Sequence, residues 1–183
     1  MRKVIAAINM TIDGNCDHTA GLPDEAIHQH YTDLLNNADT ILYGRITYQL
    51  MQYWQTLIKN PSGDNTYDEF ARAIDKIHKI VFSKKLSNTD WSSAVIATKP
   101  ADEMVKELKQ QQGKDILVGS RSLINQLLNL NLIDEYQLCV HPVIAGHGMP
   151  LFDQVNDRTI LKLTNTKLFP NGAVILHYVP SIK

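Results

Sequence analysis

Two junctions in the sequence share one construction. Thr40-Ile41-Leu42-Tyr43 runs into Gly44-Arg45 and the helix-like stretch Ile46-Thr47-Tyr48-Gln49-Leu50-Met51. Asp115-Ile116-Leu117-Val118 runs into Gly119-Ser120-Arg121 and then Ser122-Leu123-Ile124-Asn125-Gln126-Leu127-Leu128. Each is an apolar strand, a glycine, a basic residue and a helix start. A helix start presents unpaired backbone N–H groups and the positive end of a dipole, so it attracts anions. Glycine lets a ligand approach the backbone where a Cβ would stand. Two such ends side by side would hold a molecule with more than one phosphate, and a dinucleotide is the obvious candidate. The plainer alternative is that glycine and arginine only make tight strand-to-helix turns.

Other reactive residue types form weaker patterns. His28 and His30 stand two apart, which on a helix sends them to different faces, and no further ligand sits at a metal-binding spacing. No metal site is expected. Ser120 and Ser122 lack the Gly-x-Ser-x-Gly surroundings of a nucleophile, and Ser122 reads as a helix cap. Tyr48, Tyr53 and Trp54 read as core and rim packing.

The elements that must position these junctions alternate along the chain. Val4 to Ile8 is continuously apolar, as in a strand buried on both faces. A long polar segment, Asn9 to Pro23, reads as a functional loop. Helical spacing follows from Asp24 to Asn37, Arg45 to Tyr53, Tyr67 to Ile77, Ala101 to Gln111 and Ser122 to Leu130. Strands are expected at Thr40–Tyr43, Ile80–Phe82, Ala94–Ala97 and Ile116–Val118, then at Tyr136–Val143, Thr159–Phe169 and Ala173–Val179. Pro170-Asn171-Gly172 is a hairpin turn signal. The pattern implies an α/β fold: a mostly parallel central sheet flanked by helices on both faces, with an antiparallel C-terminal hairpin. No repeat or linker divides residues 1–183, which read as one domain. Ligands of such sheets bind beyond the carboxyl ends of the strands, where both glycine junctions fall.

Composition excludes several partners. The 183 residues are 44% hydrophobic and 20% charged with net charge −1, so there is no electrostatic footprint for nucleic acid or an anionic membrane. Cys16 and Cys139 read as reduced thiols. The apolar N-terminus stops at Asn9 without a cleavage signal, and no run approaches the roughly 20 apolar residues of a membrane span. A cytoplasmic protein is expected.

The order of elements, together with Asp13-Gly14, Ala38-Asp39-Thr40-Ile41-Leu42-Tyr43-Gly44-Arg45-Ile46-Thr47-Tyr48, Ile133-Asp134-Glu135 and His141-Pro142-Val143-Ile144-Ala145-Gly146-His147-Gly148-Met149-Pro150-Leu151-Phe152, resembles a known family. It is that of the C-terminal reductase domain of bifunctional riboflavin-biosynthesis proteins, with the dihydrofolate reductase-like fold. The resemblance covers essentially the whole chain, which looks like a stand-alone member without the deaminase domain. It implies an NADPH-dependent oxidoreductase acting on a small pterin- or pyrimidine-like heterocycle, similar to 5-amino-6-(5-phosphoribosylamino)uracil reductase, and a homodimer. The rivals are a genuine dihydrofolate reductase and a nucleotide-binding module without turnover.

By this resemblance Gly44, Arg45, Ile46 and Thr47 meet the cofactor phosphates. Ser83, Lys84 and Lys85 fall beside the adenosine ribose, and Gly119, Ser120, Arg121 and Ser122 form the pyrophosphate loop. A 2′-phosphate needs cationic donors, which Arg45 with Lys84 or Lys85 supplies. Gly119 is expected to be needed as glycine because the cofactor passes where a Cβ would sit and because the turn calls for a positive φ. The sequence departs from the family in having Val118-Gly119-Ser120 where two adjacent glycines are usual, and Val118 where a glutamate is usual. The tryptophan that dihydrofolate reductases usually carry before a Leu-Pro pair is also absent before Leu22-Pro23. A hydride acceptor must gain a proton too, and Asp13, Asp24 and Glu25 are the candidate acids, with Asp17 and His18 behind them. Asp13-Gly14 is equally a turn, Asp24 equally a helix N-cap, and His18 equally an exposed loop residue.

Overall fold

The computed structural model describes residues 1–181. In chain order the elements are β1 (Val4–Thr11), α1 (Glu25–Asn37), β2 (Ala38–Gly44), α2 (Arg45–Lys59), α3 (Asn65–Lys76), β3 (His78–Phe82) and β4 (Ala94–Ile96). Then come α4 (Ala101–Gln110), β5 (Asp115–Val118), α5 (Arg121–Asn129), β6 (Glu135–His141), β7 (Leu161–Leu168) and β8 (Val174–Pro180). They form one eight-stranded sheet of order β4-β3-β2-β5-β1-β6-β8-β7. The pairs from β4 through β6 are parallel, and β8 runs antiparallel to both β6 and β7. This is the dihydrofolate reductase-like arrangement that the element order implies.

Successive strand residues alternate between two cores, as the period of 2 requires. Ile5, Ile41, Tyr43, Val81 and Leu117 pack under α1, α2 and α3, which contribute Leu35, Tyr48, Phe70 and Ile74. Val4, Leu42, Ile80, Ile116 and Val118 pack under α4 and α5. Strands buried on both faces explain the unbroken apolar runs in the sequence. Because Leu42 is fully enclosed, its truncation to alanine would cost about 2–5 kcal/mol.

Two elements outrun their sequence signals. β1 continues through Asn9 and Met10 to Thr11, because β6 pairs with it as far as Thr11↔His141. The ladder overrides the polar side chain that ends the apolar run. α2 continues past Tyr53 to Lys59, and Trp54 packs its ring against Phe70 with centroids 4.5 Å apart.

The chain leaves β1 toward β2 and returns through β5, which lies between them, before crossing to β6 on the other side of β1. In sheets of this kind ligands bind at such a reversal, which here lies beyond the carboxyl ends of β1, β2 and β5. Among the described residues no helix is long and apolar enough to cross a membrane.

Candidate functional site

The five helices do not start alike. Asp24 caps α1, accepting the Ile27 N–H at 2.9 Å, and Asp64 caps α3, accepting from Thr66 and Tyr67. α4 has no side-chain cap but carries Asp102 and Glu103 in its first turn, which repel an anion. Only α2 and α5, the helices of the two glycine junctions, lack both a side-chain cap and an acidic first turn. The backbone N–H groups of Arg45, Ile46, Thr47, Arg121, Ser122 and Leu123 find no protein acceptor among the described residues. Both helix ends therefore carry unsatisfied donors.

β2 and β5 are neighbours, so the two junctions sit side by side. Ser120 joins them. Its Oγ accepts the Gly44 N–H at 3.0 Å and lies 3.0 Å from Thr47 Oγ1. Ser120 is itself the N-cap residue of α5 but does not cap it, because its hydroxyl faces the other junction. Ser122 stands inside the first turn of α5, which corrects its reading as the cap. A Cβ on Gly44 would come within 2.9 Å of Ser120 Oγ and 3.3 Å of Ser122 Oγ, so glycine here serves a close approach inside the protein.

Gly119 differs. It is not among the residues with positive φ, which corrects the expectation of a left-handed turn. A Cβ there would meet only Ala7 O and Tyr43 Cε1, both at an ordinary 3.7 Å. Nothing in the fold itself fills that space.

The basic residues separate. Arg45 Nη1 donates to Gln49 Oε1 at 2.9 Å and has no carboxylate partner among the described residues. Lys84 and Lys85 are exposed at the turn after β3, next to β2. Ser83 Oγ shapes that turn by accepting the Lys85 and Leu86 N–H groups at 3.0 Å. Arg121 is engaged elsewhere: Nε donates to Pro150 O at 2.6 Å and the guanidinium pairs with Asp153. It fastens the loop after β6 over the start of α5, and Asn125 supports it by donating to Leu151 O at 2.7 Å.

The candidate acids also separate. Asp13 accepts from Thr11 Oγ1, from Asn15 Nδ2 and from the Ala145 and Gly146 N–H groups. These bonds, led by Thr11, hold its pKa at about 2. As a proton donor near neutral pH it is therefore corrected: it stays ionised and anchors the 145–148 loop. Asp24 caps α1, and Glu25 is exposed in the first turn. Asp17 accepts from Thr19, and His18 is exposed beside it.

A buried polar chain at the ends of β1 and β6 was not read from the sequence. Leu22 N–H donates to His141 Nδ1 at 3.1 Å, and His141 Nε2 lies 3.0 Å from Asn9 Oδ1. Tyr31 Oη donates to the same Asn9 oxygen at 3.1 Å. His141 is wholly enclosed, and burial draws its pKa below the ordinary value. The signal was present as Asn9 ending the apolar run and as His141 opening the longest shared motif. What hid it was the assignment of Asn9 to a loop.

Comparisons with known proteins bear on the family and the fold. The model of the RibD C-terminal domain family matches residues 2–175. Bacillus subtilis YyaP is 37% identical over 97% of this chain and 94% of its own, and Bacillus subtilis YwjB is 30% identical over 97% and 98%. In fold, the chain is similar to a pyrimidine reductase-like protein of Corynebacterium diphtheriae (TM-score 0.69, 17% identity, 100% of this chain and 93% of that one). It is also similar to Acinetobacter baumannii RibD (TM-score 0.71, 15% identity, 100% and 59%). A third is a Thermotoga maritima diaminohydroxyphosphoribosylaminopyrimidine deaminase/5-amino-6-(5-phosphoribosylamino)uracil reductase (TM-score 0.66, 15% identity, 98% and 57%). With the family model spanning nearly every residue, and two relatives alike from end to end, the chain belongs to the RibD C-terminal domain family.

Proposed function

We propose that this chain is an NADPH-dependent reductase that passes a hydride to a small pyrimidine- or pterin-like heterocycle in the cytoplasm. Membership of the RibD C-terminal domain family supports a reductase-type function. One observation carries the cofactor reading: the two helix starts free of caps and acids are the two that Ser120 ties together. Their free N–H groups suit the charged oxygens of a pyrophosphate. Arg45, with Lys84 and Lys85 at the turn that follows the neighbouring strand β3, suits a 2′-phosphate. The open space at Gly119 suits a group lying against the backbone. NADPH when bound supplies the hydride. The protein's task is to fix the two partners against each other and to exclude water.

The engaged state of Asp13 and Asp24 favours a second reading, a nucleotide-binding module without turnover. One experiment separates the two. NADPH oxidation is followed with 5-amino-6-(5-phosphoribosylamino)uracil and with dihydrofolate, after binding is established by calorimetry. Turnover of the uracil compound supports the reductase. Binding without turnover of either supports the module. A kcat/KM with dihydrofolate of about 10⁴–10⁸ M⁻¹s⁻¹ would make the chain a dihydrofolate reductase.

We also propose a homodimer. Among the described residues β7 pairs only with β8, and it leaves Leu163 48% and Leu168 74% exposed. Leu168→Asp should turn a sedimenting dimer into a monomer, and a wild-type monomer at micromolar concentration would reject the proposal.

A further inference from the structure

Hydrogen-bond bookkeeping at His141 determines which way Asn9 faces. His141 Nδ1 accepts the Leu22 N–H, so that nitrogen carries no proton. A neutral imidazole with an acceptor Nδ1 has its hydrogen on Nε2. His141 Nε2 must therefore donate to Asn9, 3.0 Å away, and the atom that receives it must be the amide oxygen. Tyr31 Oη donates to the same oxygen. The Asn9 carboxamide is thus locked, with Oδ1 inward and Nδ2 outward. Nδ2 has no hydrogen-bond partner among the described residues, and it is not among the buried polar atoms that lack one. It reaches solvent with two N–H donors unused.

Its position gives the donors a target. β1 lies between β5 and β6, and Asn9 lies two residues beyond Ala7, on the same face of β1. The missing Cβ of Gly119 would stand 3.7 Å from Ala7 O and 3.7 Å from Tyr43 Cε1. The space at Gly119 and the amide of Asn9 therefore lie on the same face of the sheet, at the adjacent strands β5 and β1, the side that α1 covers. We propose that Asn9 is the specificity-determining residue of the substrate site, donating from Nδ2 to a ring carbonyl oxygen of the heterocycle. His141 and Tyr31 are its positioning residues. The proposal rests on the reductase reading and adds to it the donor that meets a carbonyl edge of the ring.

The test reads hydrogen-bond polarity rather than turnover. The full chain, with and without NADPH, is titrated with uracil and with 2,4-diaminopyrimidine by ligand-observed NMR. Wild type should favour uracil at least tenfold. Asn9→Asp keeps an oxygen for His141 and Tyr31 but offers no donor outward, so its preference should invert. Asn9→Ser is too short to reach a ligand there and should lose the discrimination, with a lower melting point because His141 and Tyr31 lose their shared acceptor. An unchanged preference in either folded variant overturns the assignment, as does a wild type that binds neither probe or prefers the diaminopyrimidine. Failure of the reductase reading has a different signature, the absence of NADPH binding to wild type by calorimetry, with the uracil preference and its loss in the variants still measurable.

Discussion

Ser120 Oγ accepts the Gly44 N–H at 3.0 Å across 76 residues of chain. One hydroxyl thus sets the spacing of two helix starts. The same contact leaves no room at Gly44, where a Cβ would approach that oxygen to 2.9 Å. The φ of −77° at Gly44 suits any residue, so the constraint is steric and not conformational.

Gly44→Ala should therefore destabilise the protein by about 1–3 kcal/mol, the usual cost of forcing extra volume into a packed site. Ser120→Ala removes the obstructing oxygen and should cost about 1 kcal/mol for the lost hydrogen bonds. The double variant should lose less than the sum, because the two residues share one contact. Denaturant melts of all four proteins measure this coupling, and strict additivity would show that the junctions are independent.

Cofactor choice should follow the unpaired cations. Arg45 has no carboxylate neighbour among the described residues, so its charge is available to a 2′-phosphate. NADPH should bind at least tenfold more tightly than NADH, about 1.4 kcal/mol, and Arg45→Ala should erase most of the gap. Arg121→Ala should instead loosen the 145–153 loop with little effect on the NADPH-to-NADH ratio, since its guanidinium already faces Asp153. Equal calorimetric affinities for the two dinucleotides would reject this assignment.

Much of this site was legible before the fold was known. Strand and helix periodicity placed Gly44 and Gly119 at strand ends, because double-sided burial makes parallel strands such as Leu42 and Val118 visible as unbroken apolar runs. What sequence could not reveal depends on neighbours across the sheet. The Asp13 side chain looked like a free acid because two of the donors that keep it ionised, the Ala145 and Gly146 N–H groups, lie far along the chain, and another, Thr11, meets it only through the turn that follows β1. Arg121 looked like a phosphate ligand because Asp153, 32 residues on, meets it only in the fold. Asn9 looked like a loop residue because only its pairing with β6 makes it a strand residue.

Gly119 offers a clean separation of folding from binding. Its φ is not positive and a Cβ would rest at 3.7 Å from its neighbours. Gly119→Ala should leave the melting temperature of the free protein unchanged or raise stability by about 0.4–1 kcal/mol through the unfolded chain. NADPH affinity should fall tenfold or more, since the methyl group occupies the open space beside Ala7. An affinity equal to wild type would mean that the pyrophosphate is held elsewhere.

The acid limit of stability should trace to His30. Its Nε2 is buried without a partner, and Lys167 Nζ lies 3.5 Å from Nδ1. Burial first, then the Lys167 charge, lowers the His30 pKa from 6.5 to about 4. Above pH 6.5 the imidazole is neutral in both folded and unfolded chains. Between 6.5 and about 4 only the unfolded chain takes up the proton, so stability falls as the pH drops through this window and levels off below it. At pH 5 the loss relative to pH 8 should stay below about 2 kcal/mol, because solvent at the half-buried ring screens part of the shift. His30→Leu removes both the titration and the unpartnered nitrogen, so its stability should vary less across the window and exceed that of wild type at pH 5. Denaturation midpoints at the two pH values decide the matter. A wild-type slope retained in full by the variant would move the acid sensitivity to another group.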